Sequence, residues 1–131
     1  MSRPAGLRYL KSHEWARQDN DLITVGVSDY AVEQLNREIV FLELPAAGKP
    51  VKQGQPFGVI EAVKAAYDLY APVSGTIVEA NQATVDDPSL TANDAFGAGW
   101  LVKIRPDNPA EIDNLLSDDD YQKVIDSGES H

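Results

Sequence analysis

Residues 54–81 read G-Q-P-F-G-V-I-E-A-V-K-A-A-Y-D-L-Y-A-P-V-S-G-T-I-V-E-A-N. A lone lysine, Lys64, lies between two segments of strand character. Before it, Phe57, Val59 and Val63 alternate with smaller or polar neighbours. After an A-P-V-S-G turn, residues 76–80 are rich in β-branched side chains. Gly54 and Pro56 precede the lysine at about the spacing at which Pro72 and Gly75 follow it. Turn signals on both sides predict a hairpin over about 54–81 whose tip presents the amine outward. A lysine in a loop is most often plain surface charge, so the surrounding string has to decide.

The rest of the chain sets bounds. Its 131 residues predict one domain, 1–131, with enough apolar sequence for a core. With 21 acidic and 11 basic side chains the formal net charge is −10. That argues against nucleic acid as a partner, which needs a basic face. The acidity fits either simple solubility or electrostatic docking. There are no cysteines, so a disulfide framework or thiolate metal site is impossible and thiol chemistry has to come from a cofactor. The opening M-S-R-P-A-G-L-R-Y has no apolar signal core and is too short for a transit peptide, and no window approaches a membrane span. A cytoplasmic protein is expected, with a mature organellar form as the alternative.

Taken in order, 7–11 and 13–17 are short extended segments, and the polar run 18–21 turns into a strand at 22–27. Ser28 is placed to cap a helix over 29–35. Residues 38–44 alternate as a strand, and 51–52 form a short one within a Gly/Pro-rich loop. Residues 83–94 read as polar loop and 100–104 as the last strand, with Trp100 in the core. Asn108, Pro109 and Glu111 make a capping box for a tail helix. Ser117 starts a second helix, whose Asp118, Asp119 and Asp120 complement the helix dipole better than they suit a metal. Residues 128–131 should fray. His13 and Glu14 invite a metal reading, but neighbours in a strand face opposite ways and the other histidine is His131 at the end, so no metal site is expected. Many short strands with Gly/Pro turns and a helical tail (about 108–127) predict a mainly β sandwich or flattened barrel.

The string E-A-V-K-A-A-Y-D-L-Y-A-P-V-S-G resembles the lipoyl-lysine hairpin of glycine cleavage system H proteins. Glu61, Val63, Lys64, Ala65, Asp68, Pro72, Ser74 and Gly75 fall on that pattern. Leu7-Arg8-Tyr9 with His13-Glu14-Trp15, the run T-V-G-V-S-D from Thr24, and G-A-G-W-L-V-K-I from Gly97 extend the resemblance over nearly the whole chain. Biotin carriers normally flank the lysine with methionines, and acyltransferase lipoyl domains put Asp before it. Here the flanks are Val63 and Ala65.

The resemblance implies a barrel-sandwich hybrid fold, lipoyl-domain-like, with a short helix in the N-terminal half and C-terminal helices. It implies a carrier rather than an enzyme, with lipoate joined covalently to Lys64. Its partners would be glycine decarboxylase (P protein), aminomethyltransferase (T protein), dihydrolipoyl dehydrogenase (L protein), and a lipoate ligase or lipoyl/octanoyl transferase. Ser12, Glu14 and Asp68 would hold the loaded arm, unless they only serve turn and surface chemistry. Glu61 would be read by the lipoate-attaching enzyme, unless it is an ordinary strand residue. The chain departs from the usual pattern at Tyr30, at Asn36-Arg37, at Ala62 and at Tyr67. A biotin-type carboxylase carrier and an H-like relay of lipoyl groups to other complexes are the rival readings.

Overall fold

Strands β1 (Arg8–Tyr9), β2 (Glu14–Asp19) and β3 (Leu22–Val27) form an antiparallel meander at the start of the chain. Asn20 closes the β2–β3 turn with φ of 58°, a left-handed conformation that asparagine tolerates. The computed structural model describes residues 3–128. Helix α1 (Asp29–Gln34) follows, capped as expected: the Ser28 hydroxyl accepts the Ala31 N–H at 3.2 Å. Asn36 and Arg37 then take φ of 56° and 57° in succession. Arg37 is held there by its own side chain, which donates to the Ala92 carbonyl at 2.7 Å and to Asp29 and Glu33.

Six further strands complete two sheets: β4 (Ile39–Glu43), β5 (Pro50–Val51), β6 (Pro56–Ala62), β7 (Ala66–Tyr70), β8 (Gly75–Ala80) and β9 (Val102–Pro106). One sheet runs β1-β2-β3-β9-β8-β5 and the other β4-β6-β7, with every pairing antiparallel. The architecture is mainly β with helices at the C-terminus, as the sequence predicts. Ile23, Val25, Leu42, Ile60, Leu69, Ile77 and Ile104 are almost fully buried in one cluster. Each such side chain contributes about 1.5–3 kcal/mol on removal from water. Period-2 alternation fails at Val40 and Phe41, both exposed, because a bulge between Ile39 and Phe41 inserts the extra residue.

Several expectations need correction. The hairpin is shorter than 54–81: its strands are β6 and β7, and residues 76–80 lie in β8, in the other sheet. The supposed loop 83–94 holds two short helices, α2 (Gln82–Asp86) and α3 (Ser89–Asn93), separated by Pro88. The last strand starts at Val102, and Trp100 is only partly buried, with the Lys103 ammonium 4.9 Å from its ring. The fully buried tryptophan is Trp15.

Asn108 caps a 3-10 helix (Pro109–Asn114), its side chain accepting from Ala110. Glu111 completes no capping box. Its carboxylate instead takes the Ser74 N–H at 2.7 Å, tying the tail to the turn before β8. Helix α4 (Asp118–Ser127) begins at Ser117 with the three aspartates in its first turn and ends on Gly128 at φ 73°. It packs Tyr121 against Leu7, Tyr9 and Trp15 in a second cluster. Of the stretch 128–131 expected to fray, residues 129–131, with His131, lie outside the described residues, as do Met1 and Ser2.

Candidate functional site

The β6–β7 hairpin turns in two residues, Val63 and Lys64. Ala62 and Ala65 flank them, with the Ala62 N–H donating to the Ala65 carbonyl at 2.7 Å. The Val63 N–H donates to the Glu38 carbonyl at 3.0 Å, which anchors the tip to the start of β4. Lys64 is exposed, and among the described residues no hydrogen bond or ion pair engages its ammonium. Two-residue hairpins usually need positive φ in the turn, yet neither Val63 nor Lys64 adopts it. The amine is therefore presented on restrained backbone with nothing to displace before it reacts.

Beside the hairpin opens a cleft of about 190 Å³. One wall is the entry to β2, with Ser12, His13 and Glu14. A second is Ala31, Gln34 and Leu35, from α1 and its end. Ile60, Tyr67, Asp68 and Leu69 of the hairpin form the third. Glu14 is the unusual member, a carboxylic acid 1% exposed. Its Oε1 accepts from the Ser12 hydroxyl and its Oε2 accepts the Tyr70 N–H at 2.8 Å. Burial pushes its pKa up to about 7, although the hydrogen bonds from Ser12 and Tyr70 pull the other way. The cleft thus combines apolar walls with a buried carboxyl group able to accept hydrogen bonds, a lining that suits an apolar chain ending in a cation.

Of the residues singled out in the sequence, Ser12, Glu14 and Asp68 come together in this cleft. Lys64 stands at the hairpin tip, and Glu61 lies on β6 between Phe41 and Ala66, outside the cleft. His13 lies outside the strand, preceding β2 with φ of 83°, and both it and Glu14 line the cleft. The His13 Nδ1 is 2.8 Å from the Tyr121 hydroxyl. Among the described residues no group of three or more His, Cys, Asp or Glu is placed to hold a metal. None of their helices is long and apolar enough to cross a membrane. Sequence reasoning missed the part taken by His13 and by the α1 wall. Only the left-handed backbone at residue 13 reveals the first, and it leaves no mark in composition.

Comparison with known proteins agrees with this geometry. The family described as glycine cleavage H-protein matches residues 7–128. A glycine cleavage system H protein from Cyanothece sp. is 49% identical over 125 residues, covering 95% of this chain and 96% of that protein. Another, from Carboxydothermus hydrogenoformans, is 45% identical over 122 residues, 93% of each chain. The crystal structure of a glycine cleavage system H protein from Mycobacterium marinum has a TM-score of 0.87 at 37% identity, covering 95% of this chain and 99% of that one. The two sheets are accordingly a lipoyl-domain-like barrel-sandwich. On the extent of the match and the shared fold, this chain belongs to the glycine cleavage H-protein family, whose members are lipoyl carriers rather than catalysts.

Proposed function

We propose that residues 1–131 form a single carrier domain of the glycine cleavage system and that Lys64 is its lipoylated residue. The observation that carries this reading is an unengaged lysine on a two-residue hairpin turn, next to a cleft with one buried acid. Acylation joins the Lys64 Nζ to the lipoate carboxyl as an amide and removes the side chain's charge. The hairpin restrains the backbone while leaving the amine open to the attaching enzyme, with Glu61 available on β6 for recognition. When attached, the lipoyl group supplies a disulfide that is reduced as the aminomethyl unit of glycine passes from the pyridoxal-phosphate decarboxylase to the tetrahydrofolate-dependent aminomethyltransferase, and is restored by dihydrolipoyl dehydrogenase. Tethering at Lys64 replaces diffusion between these enzymes with a high effective concentration.

The chain's own part is protective. In its ionised form Glu14 accepts a hydrogen bond from the cationic amine of the cargo, a charge-assisted bond in a site of low polarity. Ser12 fixes the rotamer of Glu14 through its hydroxyl. Asp68 at the rim adds a second negative charge. Val27, Leu35, Ile60 and Leu69 exclude water from the labile amine.

Tandem mass spectrometry of the Lys64 peptide, after expression with lipoate, tests the attachment. Reconstitution with the three partner enzymes tests the cycle. Biotin at Lys64 would refute the reading. A lipoylated chain without glycine-dependent turnover would leave it a relay of lipoyl groups.

A further inference from the structure

A residue of the C-terminal helix links two walls of the cleft. The Tyr121 hydroxyl is 2.8 Å from the His13 Nδ1 and 2.6 Å from the Ser28 hydroxyl. All three residues are buried. His13 immediately precedes Glu14 and lines the cleft itself. Ser28 caps α1 by accepting the Ala31 N–H at 3.2 Å, and Ala31 lines the facing wall. The His13 backbone is left-handed, which costs roughly 1–2 kcal/mol for a residue with a Cβ. Such a conformation persists only where its surroundings impose it. The backbone contributes, with the Ser28 N–H donating to the His13 carbonyl at 2.9 Å, and Tyr121 holds the ring.

We infer that Tyr121 is a positioning residue for the carrier cleft: its hydroxyl holds His13 and Ser28 in place and thereby aims the Glu14 carboxylate. A phenol carries one proton and two lone pairs, so it can accept from one neighbour while donating to the other. Its ring is fixed independently, stacked on Tyr9 with centroids 4.2 Å apart and planes 3° from parallel, under the Arg3 guanidinium. Phenylalanine at position 121 therefore keeps the packing and deletes only the link. The inference rests on the cleft's reading as a cargo site, but the placement of Glu14 is measurable without any cargo.

The test is Tyr121→Phe, with Tyr9→Phe as its control. The Tyr9 hydroxyl is buried in the same stack yet has no hydrogen-bond partner among the described residues, so removing it leaves the link intact. The first readout is amide hydrogen exchange of the unlipoylated protein at Tyr70, whose N–H is held by Glu14. Tyr121→Phe should speed exchange at Tyr70 about tenfold more than at the amides of β9, equivalent to about 1.4 kcal/mol of local loosening. Tyr9→Phe should not. His13→Asn, which tolerates the left-handed backbone but cannot reach Tyr121, should reproduce the effect from the other end. Unchanged Tyr70 exchange in both Tyr121→Phe and His13→Asn would overturn the inference. The second readout is the lifetime of the aminomethyl cargo on lipoylated protein, which should shorten in Tyr121→Phe. Faster Tyr70 exchange beside an unprotected cargo in the parent protein would sustain the positioning role and refute the cleft as cargo site. Full protection in both proteins would refute the positioning role.

Discussion

The Glu14 carboxylate accepts the backbone N–H of Tyr70, 56 residues away, at 2.8 Å. Glu14 opens β2 in the six-stranded sheet, and Tyr70 ends β7 in the three-stranded one. One buried acid therefore fastens the base of the carrier hairpin to the other sheet while its second oxygen meets Ser12 in the cleft. If Glu14 serves the cargo as proposed, structural and functional demands fall on the same carboxylate.

Lys64→Arg should fold like the parent and never be acylated, because guanidinium keeps the charge but offers no amine for the amide. Position 64 is exposed, so its stability should change by less than about 0.5 kcal/mol. Intact mass after expression with lipoate, alongside a urea melt, checks both halves. A lipoyl adduct on this variant would put the attachment elsewhere.

Glu14→Gln should change how stability depends on pH. Glu14 titrates near 7 in the folded chain against an ordinary 4.5, so the folded state binds the proton more tightly. The stability this group confers is complete below about 4.5 and is lost as pH rises through about 7. At about 1.4 kcal/mol per pH unit, the loss integrates to about 3 kcal/mol across that window. Glutamine cannot ionise, so the parent-minus-variant unfolding free energy should fall by that amount between pH 4.5 and 8. A difference that stays flat with pH would mean that the carboxylate is charged and hydrated throughout.

Ser12→Ala should raise the Glu14 pKa further, since the Ser12 hydroxyl stabilises the charged form. Carbon-13 NMR of the Glu14 carboxyl over a pH series reads it directly. A fall in the pKa would show that water enters the cleft and hydrates the acid.

Gly75→Ala should destabilise the fold by about 3 kcal/mol through overpacking. A Cβ at Gly75 would collide with the Arg105 carbonyl oxygen on β9 and come within 2.9 Å of an Ile104 methyl carbon. Urea denaturation measures the loss. An alanine variant as stable as the parent would require β8 to lie farther from β9 than it does here.

The hairpin was legible in sequence because Gly, Pro and the isolated lysine punctuate it, and because the surrounding string resembles a known family. Strand β7 was not, since A-Y-D-L-Y lies at a sheet edge with only Leu69 buried, so no alternation marks it. Helices α2 and α3 escaped for a related reason: five residues each, with no side-chain cap, they owe their form to tertiary packing rather than propensity. The Ser28 and Ser117 caps announced themselves because capping chemistry is local. Glu111 looked equally local and was claimed by Ser74 across 37 residues. Ser12, Glu14 and Asp68 were reachable only by resemblance. Nothing in the string brings Tyr121 to His13 across 108 residues.

The absence of left-handed backbone at Val63 and Lys64 reaches beyond this chain's own cargo. A bend that asks neither position for glycine or asparagine tolerates almost any L-amino acid there. Residue 63, 68% exposed beside an intact Lys64, is thus a natural seat for an unnatural side chain: a clickable azide, a spin label or a fluorophore. A probe seated there would report on whatever docks against the hairpin tip, with the lysine beside it left intact.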